Sequence, residues 1–331
     1  MEIFKVRSDW SFEDASTIYN QPLLELVYKA SAIHHEFHEP NEVQVCTLLS
    51  VKTGGCPEDC GYCPQAARYH TDVEAQKLLS VDAVVRIAKE AKETGSTRFC
   101  MGAAWREVKD DADFDIILDM ITQVSDMGLE VCGTLGMATE QQLHKMKEAG
   151  LYAYNHNIDT SKDFYGEVIS TRNYDDRLET LKNTRNADVT ICSGGIIGMG
   201  ESGADRIQML LTLANLDKHP ESVPINALVS IDGTPLEDRK PVSSWEMVRM
   251  IATARIMMPA STVRLSAGRT EMSPEAQALC FLAGANSIFS GDRLLTTPNP
   301  SLGEDEQLFS DLGLYPRPSY KPEKIDCSPT H

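Results

Sequence analysis

The sequence contains no apolar run long enough to span a bilayer, and Met1 to Trp10 lacks the apolar core of a signal peptide. A cytoplasmic location is therefore expected, where thiols stay reduced. Basic residues are scarce: 31 Lys and Arg stand against 49 Asp and Glu, a formal net charge of -18. Neutralising phosphates needs a basic face, so this balance argues against a nucleic-acid binder. No Ser/Gly linker, charge block or low-complexity tract divides the 331 residues. That length suits two average domains or one large α/β barrel.

Cysteine is what the chain does have. There are nine, an odd number that in a reducing compartment points to ligands and buried thiols rather than disulfides. Three fall in one loop, Cys56-Pro-Glu-Asp-Cys60-Gly-Tyr-Cys63. Thiolates are soft ligands, and three within eight residues can converge on one metal centre. Pro57, Gly61 and Pro64 keep the segment a loop. A closed four-iron cluster or a structural zinc site takes four ligands, and no fourth cysteine lies close downstream. Three ligands on a four-iron cluster leave one iron open for chemistry. A zinc-stabilised binding protein, using the same cysteines plus His70, is the alternative from another class.

After a helical lead-in around Pro22 to Phe37, β-like runs alternate with amphipathic helical stretches. Eight strands are predicted: 43–51, 97–101, 129–135, 153–157, 189–193, 223–230, 262–266 and 287–290. Helix ends are readable between them. Ser80 caps a helix stopped by Gly95, Thr139 and Gln142 form a capping box, and Ser273-Pro274 opens another helix. Eight strand–helix alternations close most naturally into a (β/α)8 TIM-type barrel, with a doubly wound sheet as the alternative. The expected organisation is an N-terminal helical extension over 1–40, a barrel over 41–296 and an irregular C-terminal tail over 297–331.

Active groups of such a barrel sit at the C-terminal ends of its strands. The cysteine loop follows the first strand. Cys100, Cys132 and Cys192 belong to the second, third and fifth strands, and Arg264 to the seventh. A single cysteine on a buried strand is usually a small hydrophobe. Three at comparable positions beside a cluster loop favour a second cluster inside the barrel, held by three thiolates and one further group. An interior arginine is ordinarily an ion-pair partner or anion clamp, so spacing alone does not make Arg264 a ligand. Cys46, Cys280 and Cys327 read as strand core, helix core and tail. Asn155, Asn157 and Asp159 alternate on one side of the fourth strand's end, and Asn226 adds an amide from the sixth. Such groups suit ribose hydroxyls or a urea-like carbonyl and N–H pair. For Asn155 and His156 a turn or capping role is as good a reading. Gly198-Met-Gly200-Glu-Ser-Gly203 matches G-x-G-x-x-G, but the next strand has no acidic residue in the ribose-binding role, so a nicotinamide site is not expected. The same glycines could still let the backbone approach an adenine or ribose.

The loop C-x3-C-x-Y-C resembles that of radical S-adenosylmethionine enzymes. Ser-Thr-Arg-Phe-Cys-Met-Gly-Ala-Ala-Trp, Tyr-Asn-His-Asn-Ile-Asp-Thr, Cys-Ser-Gly-Gly-Ile-Ile-Gly-Met-Gly-Glu and Val-Arg-Leu-Ser-Ala-Gly-Arg resemble the biotin synthases among them, over about Pro22 to Asn299. The resemblance implies a [4Fe–4S] cluster on Cys56, Cys60 and Cys63, whose open iron binds S-adenosylmethionine. It also implies a [2Fe–2S] cluster on Cys100, Cys132, Cys192 and Arg264. Tyr62, Asn157, Asp159 and Ile196 would contact S-adenosylmethionine, and Asn157 and Asn226 dethiobiotin. The implied reaction is radical insertion of a cluster sulfide into dethiobiotin to give biotin, the last step of biotin biosynthesis, by a sulfurtransferase. Implied partners are a second copy in a homodimer, a flavodoxin- or ferredoxin-type electron donor and the iron–sulfur assembly machinery. Lys52, Arg68 and Lys77 around the loop are candidates for the donor's docking patch. A radical enzyme with another substrate, in which Cys100, Cys132 and Cys192 are merely buried, is the nearest rival.

Overall fold

The computed structural model describes residues 6–319. Nine strands, taken in chain order, build the core. They are β1 (Glu42–Lys52), β2 (Arg98–Ala103), β3 (Glu130–Thr134), β4 (Leu151–Asn155), β5 (Thr190–Cys192), β6 (Gly195–Ile197), β7 (Ser222–Ala227), β8 (Thr262–Leu265) and β9 (Ser287–Phe289). All their pairings are parallel. They run β1-β2-β3-β4-β5-β7-β8-β9, with β6 also on β7, and β9 returns to β1 to close the barrel. The eight expected strands are all present. The ninth element, β6, arises because the fifth strand is interrupted at Ser193–Gly194 and resumes on β7 in the same register, Cys192 pairing with Ser222 and Gly195 with Ile225.

Parallel strands covered on both faces are buried on both: β2 from Arg98 to Gly102 and β3 from Glu130 to Gly133, apolar except for Arg98 and Glu130, which pair with each other. The surrounding helices bury one stripe each. In the helix Val81–Glu93 that stripe is Val84, Ala88 and Ala91, spaced at i, i+4 and i+7. Its start is fixed by Ser80, whose hydroxyl accepts from the Ala83 amide, and Gly95 follows with a left-handed φ of 92°. The capping box at Thr139 and Gln142, and Pro274 in the first turn after Ser273, are also as expected. Two helices precede the barrel, Phe12–Tyr19 and Leu23–Phe37; the first opens on a Ser11/Asp14 capping box.

The expectation of an irregular tail from residue 297 is overturned for the described part. Leu302–Leu312 is a helix opened by a Ser301/Glu304 capping box and ended by Gly313 in the left-handed region. Its polar composition reflects a helix whose buried side chains are only Asp305 and Leu308. Tyr315–Pro316 then pairs with the start of β1, and Arg317 reaches Glu130 Oε1 at 3.3 Å. The chain therefore returns to the N-terminal end of the barrel. Cys327 lies outside the described residues. Among those described, no helix is long and apolar enough to cross a membrane.

Candidate active site

The barrel holds a cavity of about 310 Å³. The loop after β1 delivers Cys56, Cys60 and Cys63 to it, and β2, β3 and β8 contribute Cys100, Cys132 and Arg264. Tyr62, Asn157, Asp159, Ile196 and Asn226 line the same space. The loop closes on itself: the Cys56 amide donates to Gln65 O at 2.9 Å and Cys63 N to Cys60 O at 2.9 Å. Asp59 ties it to the segment after the helix Lys162–Val168, accepting from Ser170 N at 2.9 Å and Thr171 N at 3.1 Å. Burial acts to raise the Asp59 pKa, but these hydrogen bonds outweigh it and hold the carboxyl down at about 2.

The three loop thiols stand in the opposite condition. Burial raises all of them, and Cys63, with Cys60 and Cys56 beside it, is pushed up to about 12. Free thiolates would be costly here, and a metal that deprotonates its thiol ligands removes that cost. Among the described residues no three His, Cys, Asp or Glu side chains converge as they would on a single ion. A four-iron cluster is wider than one ion and spreads its ligands accordingly. His70, the fourth ligand of the zinc reading, is exposed and does not line the cavity.

Deeper in the barrel the sulfurs form a chain of contacts. Cys100 and Cys192 both hydrogen-bond Cys132, which lowers the Cys132 pKa and raises the other two. Arg264 Nη1 lies 3.7 Å from Cys192 Sγ, and its Nε donates to Ser287 Oγ at 2.9 Å. The structure brings one further sulfur to this group. Cys46, expected to be strand core, hydrogen-bonds Cys100 and lies 3.3 Å from Arg264 Nη2. Burial opposes its ionisation, yet Cys100, Arg264 and Arg98 bring its pKa to about 6. Below the sulfurs, Arg98 pairs with Glu130 at 2.7 Å, both side chains being buried. Cys280 is core as expected, in the helix Pro274–Leu282, its thiol pushed up to about 12 by burial. Both donor sets fit iron–sulfur ligation: three soft thiols on a loop, and buried thiols with a cationic neighbour inside the barrel.

The polar groups at the mouth are more engaged than their spacing suggests. Asn157 Oδ1 accepts from the Gly194 amide at 3.1 Å. Asn226 donates to Gly195 O at 3.0 Å and accepts from Ala267 N at 3.2 Å. Asp159, with a left-handed φ of 67°, is buried against Arg177 through Oδ2. Asn155 donates to Cys192 Sγ at 3.2 Å, and His156 is buried, kept neutral by its burial and by Arg177 and Arg172. Two residues were not legible in advance. Arg177 pairs with Asp159, and Arg172 lies with Nη2 4.0 Å from Cys60 Sγ while its Nε and Nη1 have no hydrogen-bond partner. Both come from a segment between the fourth and fifth strands that carries no motif. The loop Gly198–Gly203 is not part of the cavity lining. Its Gly198 and Gly200 amides donate to Glu201 at 2.8 and 3.1 Å, so the carboxylate occupies the place a phosphate would need.

Sequence comparisons decide the family. The profile of the radical SAM superfamily matches residues 50–214, and that of the biotin and thiamin synthesis associated domain matches 224–315. The biotin synthase of Cytophaga hutchinsonii is 66% identical over 317 residues, covering 96% of this chain and 94% of the relative. The chain belongs to the biotin synthase family. The mitochondrial biotin synthase of Arabidopsis thaliana is 59% identical over 313 residues, 94% of this chain and 83% of that one. Among solved structures, methylornithine synthase superposes with a TM-score of 0.77 at 18% identity, covering 93% of this chain and 94% of the other. The FeFe-hydrogenase maturase from Carboxydothermus hydrogenoformans gives 0.79 at 17% identity, with 93% and 76% covered. These two likenesses speak to the barrel alone. Membership of the biotin synthase family brings with it a [4Fe–4S] cluster, S-adenosylmethionine and a [2Fe–2S] cluster as cofactors.

Proposed function

We propose that this chain forms biotin from dethiobiotin by radical sulfur insertion, with Cys56, Cys60 and Cys63 holding the [4Fe–4S] cluster and Cys100, Cys132, Cys192 and Arg264 the [2Fe–2S] cluster. The observation that carries the assignment is that the three loop cysteines share one cavity with Cys100, Cys132 and Arg264, with Cys192 Sγ 3.7 Å behind the Arg264 guanidinium, so that a radical made at the first set meets a sulfur source at the second. When bound, the first cluster supplies the electron that cleaves S-adenosylmethionine, and the second supplies the sulfide.

The residues then divide the work of binding and shielding. Arg172, buried on the cavity with Nε and Nη1 making no hydrogen bond and Glu58 Oε2 4.0 Å from Nε, suits the carboxylate of S-adenosylmethionine. Asp159, fixed through Oδ2 by Arg177, keeps Oδ1 for a ribose hydroxyl. Tyr62 and Ile196 offer apolar surface to the adenine. Asn226 has one amide donor and one lone pair left after its backbone bonds, and Asn157 keeps its Nδ2; both suit the cyclic urea of dethiobiotin. No side-chain base is required, since a hydrogen atom is removed rather than a proton, and the enclosing barrel keeps water from the radical.

A homodimer, a flavodoxin- or ferredoxin-type donor, iron–sulfur assembly proteins and a cytoplasmic setting belong to the same proposal, supported by family membership. Of the three basic residues near the loop, Arg68 pairs with Asp59 and Lys52 donates to Gly54 O, while Lys77 is exposed. Docking through such a patch makes the reduction rate fall with salt. The function itself is tested by an anaerobic assay with dethiobiotin, S-adenosylmethionine and reductant. Biotin is the expected product; deoxyadenosine without biotin would leave the radical chemistry and remove the substrate.

A further inference from the structure

One cysteine that the proposed reaction does not use, Cys46, lies beside the unusual ligand Arg264. Cys46 is fully buried on β1, two residues below Leu48, which is paired with Cys100. Leu48 and Cys46 share the inward face of their strand. The stagger of the barrel brings the Cys46 sulfur into hydrogen-bond contact with Cys100. Arg264 lies between two thiols, and its guanidinium is closer to Cys46, at 3.3 Å, than to Cys192, at 3.7 Å. Cys46 has only a weak competing contact, the Ser287 hydroxyl at 3.7 Å, itself engaged by Arg264 Nε.

We infer that Cys46 is a fourth ligand-competent thiol of the inner cluster site, able to take the iron position assigned to Arg264. The inference rests on the reading that Cys100, Cys132 and Cys192 hold that cluster. Four cysteines are the ordinary donor set of a [2Fe–2S] centre, whereas a guanidinium is a rare metal ligand. The exchange balances without a redox partner. The Cys46 sulfur–iron bond forms as the Arg264 nitrogen–iron bond breaks, and the thiol proton passes to the guanidine nitrogen that is released. Arg264 then remains beside the thiolate as a cation, held by Ser287 and by Gln44 Oε1 at 3.3 Å. The site thus has two ligation states that differ by one proton shift between neighbours.

The test compares anaerobically reconstituted wild type, Arg264→Met and Arg264→Met/Cys46→Ser by iron and sulfide content, absorption and resonance Raman spectra. Arg264→Met is expected to keep both clusters, with the inner one changed to the Fe–S stretching pattern of four-thiolate ligation. The double variant is expected to lose that pattern. Identical inner-cluster spectra in the single and double variants overturn the inference, as does loss of the inner cluster alone in Arg264→Met. If Arg264→Met loses both clusters through misfolding, Arg264→Lys, which keeps a long cationic side chain, is judged by the same criteria. Wild type with only one cluster would instead overturn the reading on which the inference stands.

Discussion

The Asn155 side-chain amide donates to Cys192 Sγ at 3.2 Å, and its carbonyl oxygen accepts from Thr134 Oγ1 at 3.3 Å. The threonine fixes which end of the amide faces the sulfur. Hydrogen bonds to ligand sulfurs stabilise the reduced state of an iron–sulfur cluster and so raise its potential. Asn155→Leu is therefore expected to lower the reduction potential of the inner cluster and leave that of the loop cluster unchanged, as read by a spectroelectrochemical titration. An unchanged inner potential would show that the bond does not survive in the loaded protein.

Asp159 and Arg177 form an ion pair in which both side chains are about 95% buried (3% and 6% exposed). Removing one partner of such a pair strands the other charge, at about 3–5 kcal/mol. Asp159→Asn is expected to lower the stability of the cluster-free protein by that order in urea unfolding. A double replacement, Asp159→Asn with Arg177→Met, should recover part of the loss, because no charge is then left unpaired. Equal midpoints for wild type and Asp159→Asn would refute the role.

Gly194 sits where β5 gives way to β6, and a Cβ placed there would come within 1.9 Å of Pro224 O. The contact is with the backbone of β7, which cannot turn aside as a side chain could. Gly194→Ala should cost about 1–3 kcal/mol through overpacking and displace Cys192 two residues away. The measurements are the thermal midpoint and the inner cluster's iron content, and both should fall.

His34 is buried, and burial together with the charge of Arg255 draws its pKa down to about 4; the stacked His38 is at about 3 for the same reasons. Unfolded, both titrate near about 6.5. The folded values are depressed, so the unfolded chain binds more protons between these limits. Stability is full above about pH 6.5 and declines as pH falls through the folded values. The urea midpoint of the cluster-free protein should therefore drop between pH 7 and pH 5, and His34→Gln should make that drop shallower. The same slope in both proteins would exclude His34 as a source.

The barrel was legible because its strands and helices carry distinct periods, and because caps such as Thr139 with Gln142 are local chemistry. The placing of Cys56, Cys60 and Cys63 on the loop after the first strand, and of Cys100, Cys132 and Cys192 on the second, third and fifth, was legible too. Three features were not. Cys46 looks like any strand cysteine until the barrel's stagger sets it beside Cys100. Arg172 and Arg177 reach the cavity only through the packing of the segment before and into the helix Tyr174–Asn186. The helix Leu302–Leu312 was hidden by its polarity, although Ser301 and Glu304 spell its capping box. The amides expected to be free for ligands, Asn157 and Asn226, are also partly spent on backbone groups, which no sequence pattern announces.

The central claim is that the inner thiols make the product. It is tested most directly by measuring biotin and 5′-deoxyadenosine together in anaerobic reactions of wild type and Cys132→Ala. Wild type should form both. Cys132→Ala should retain the loop cluster and form deoxyadenosine but no biotin, whereas biotin at the wild-type yield from Cys132→Ala would contradict the account.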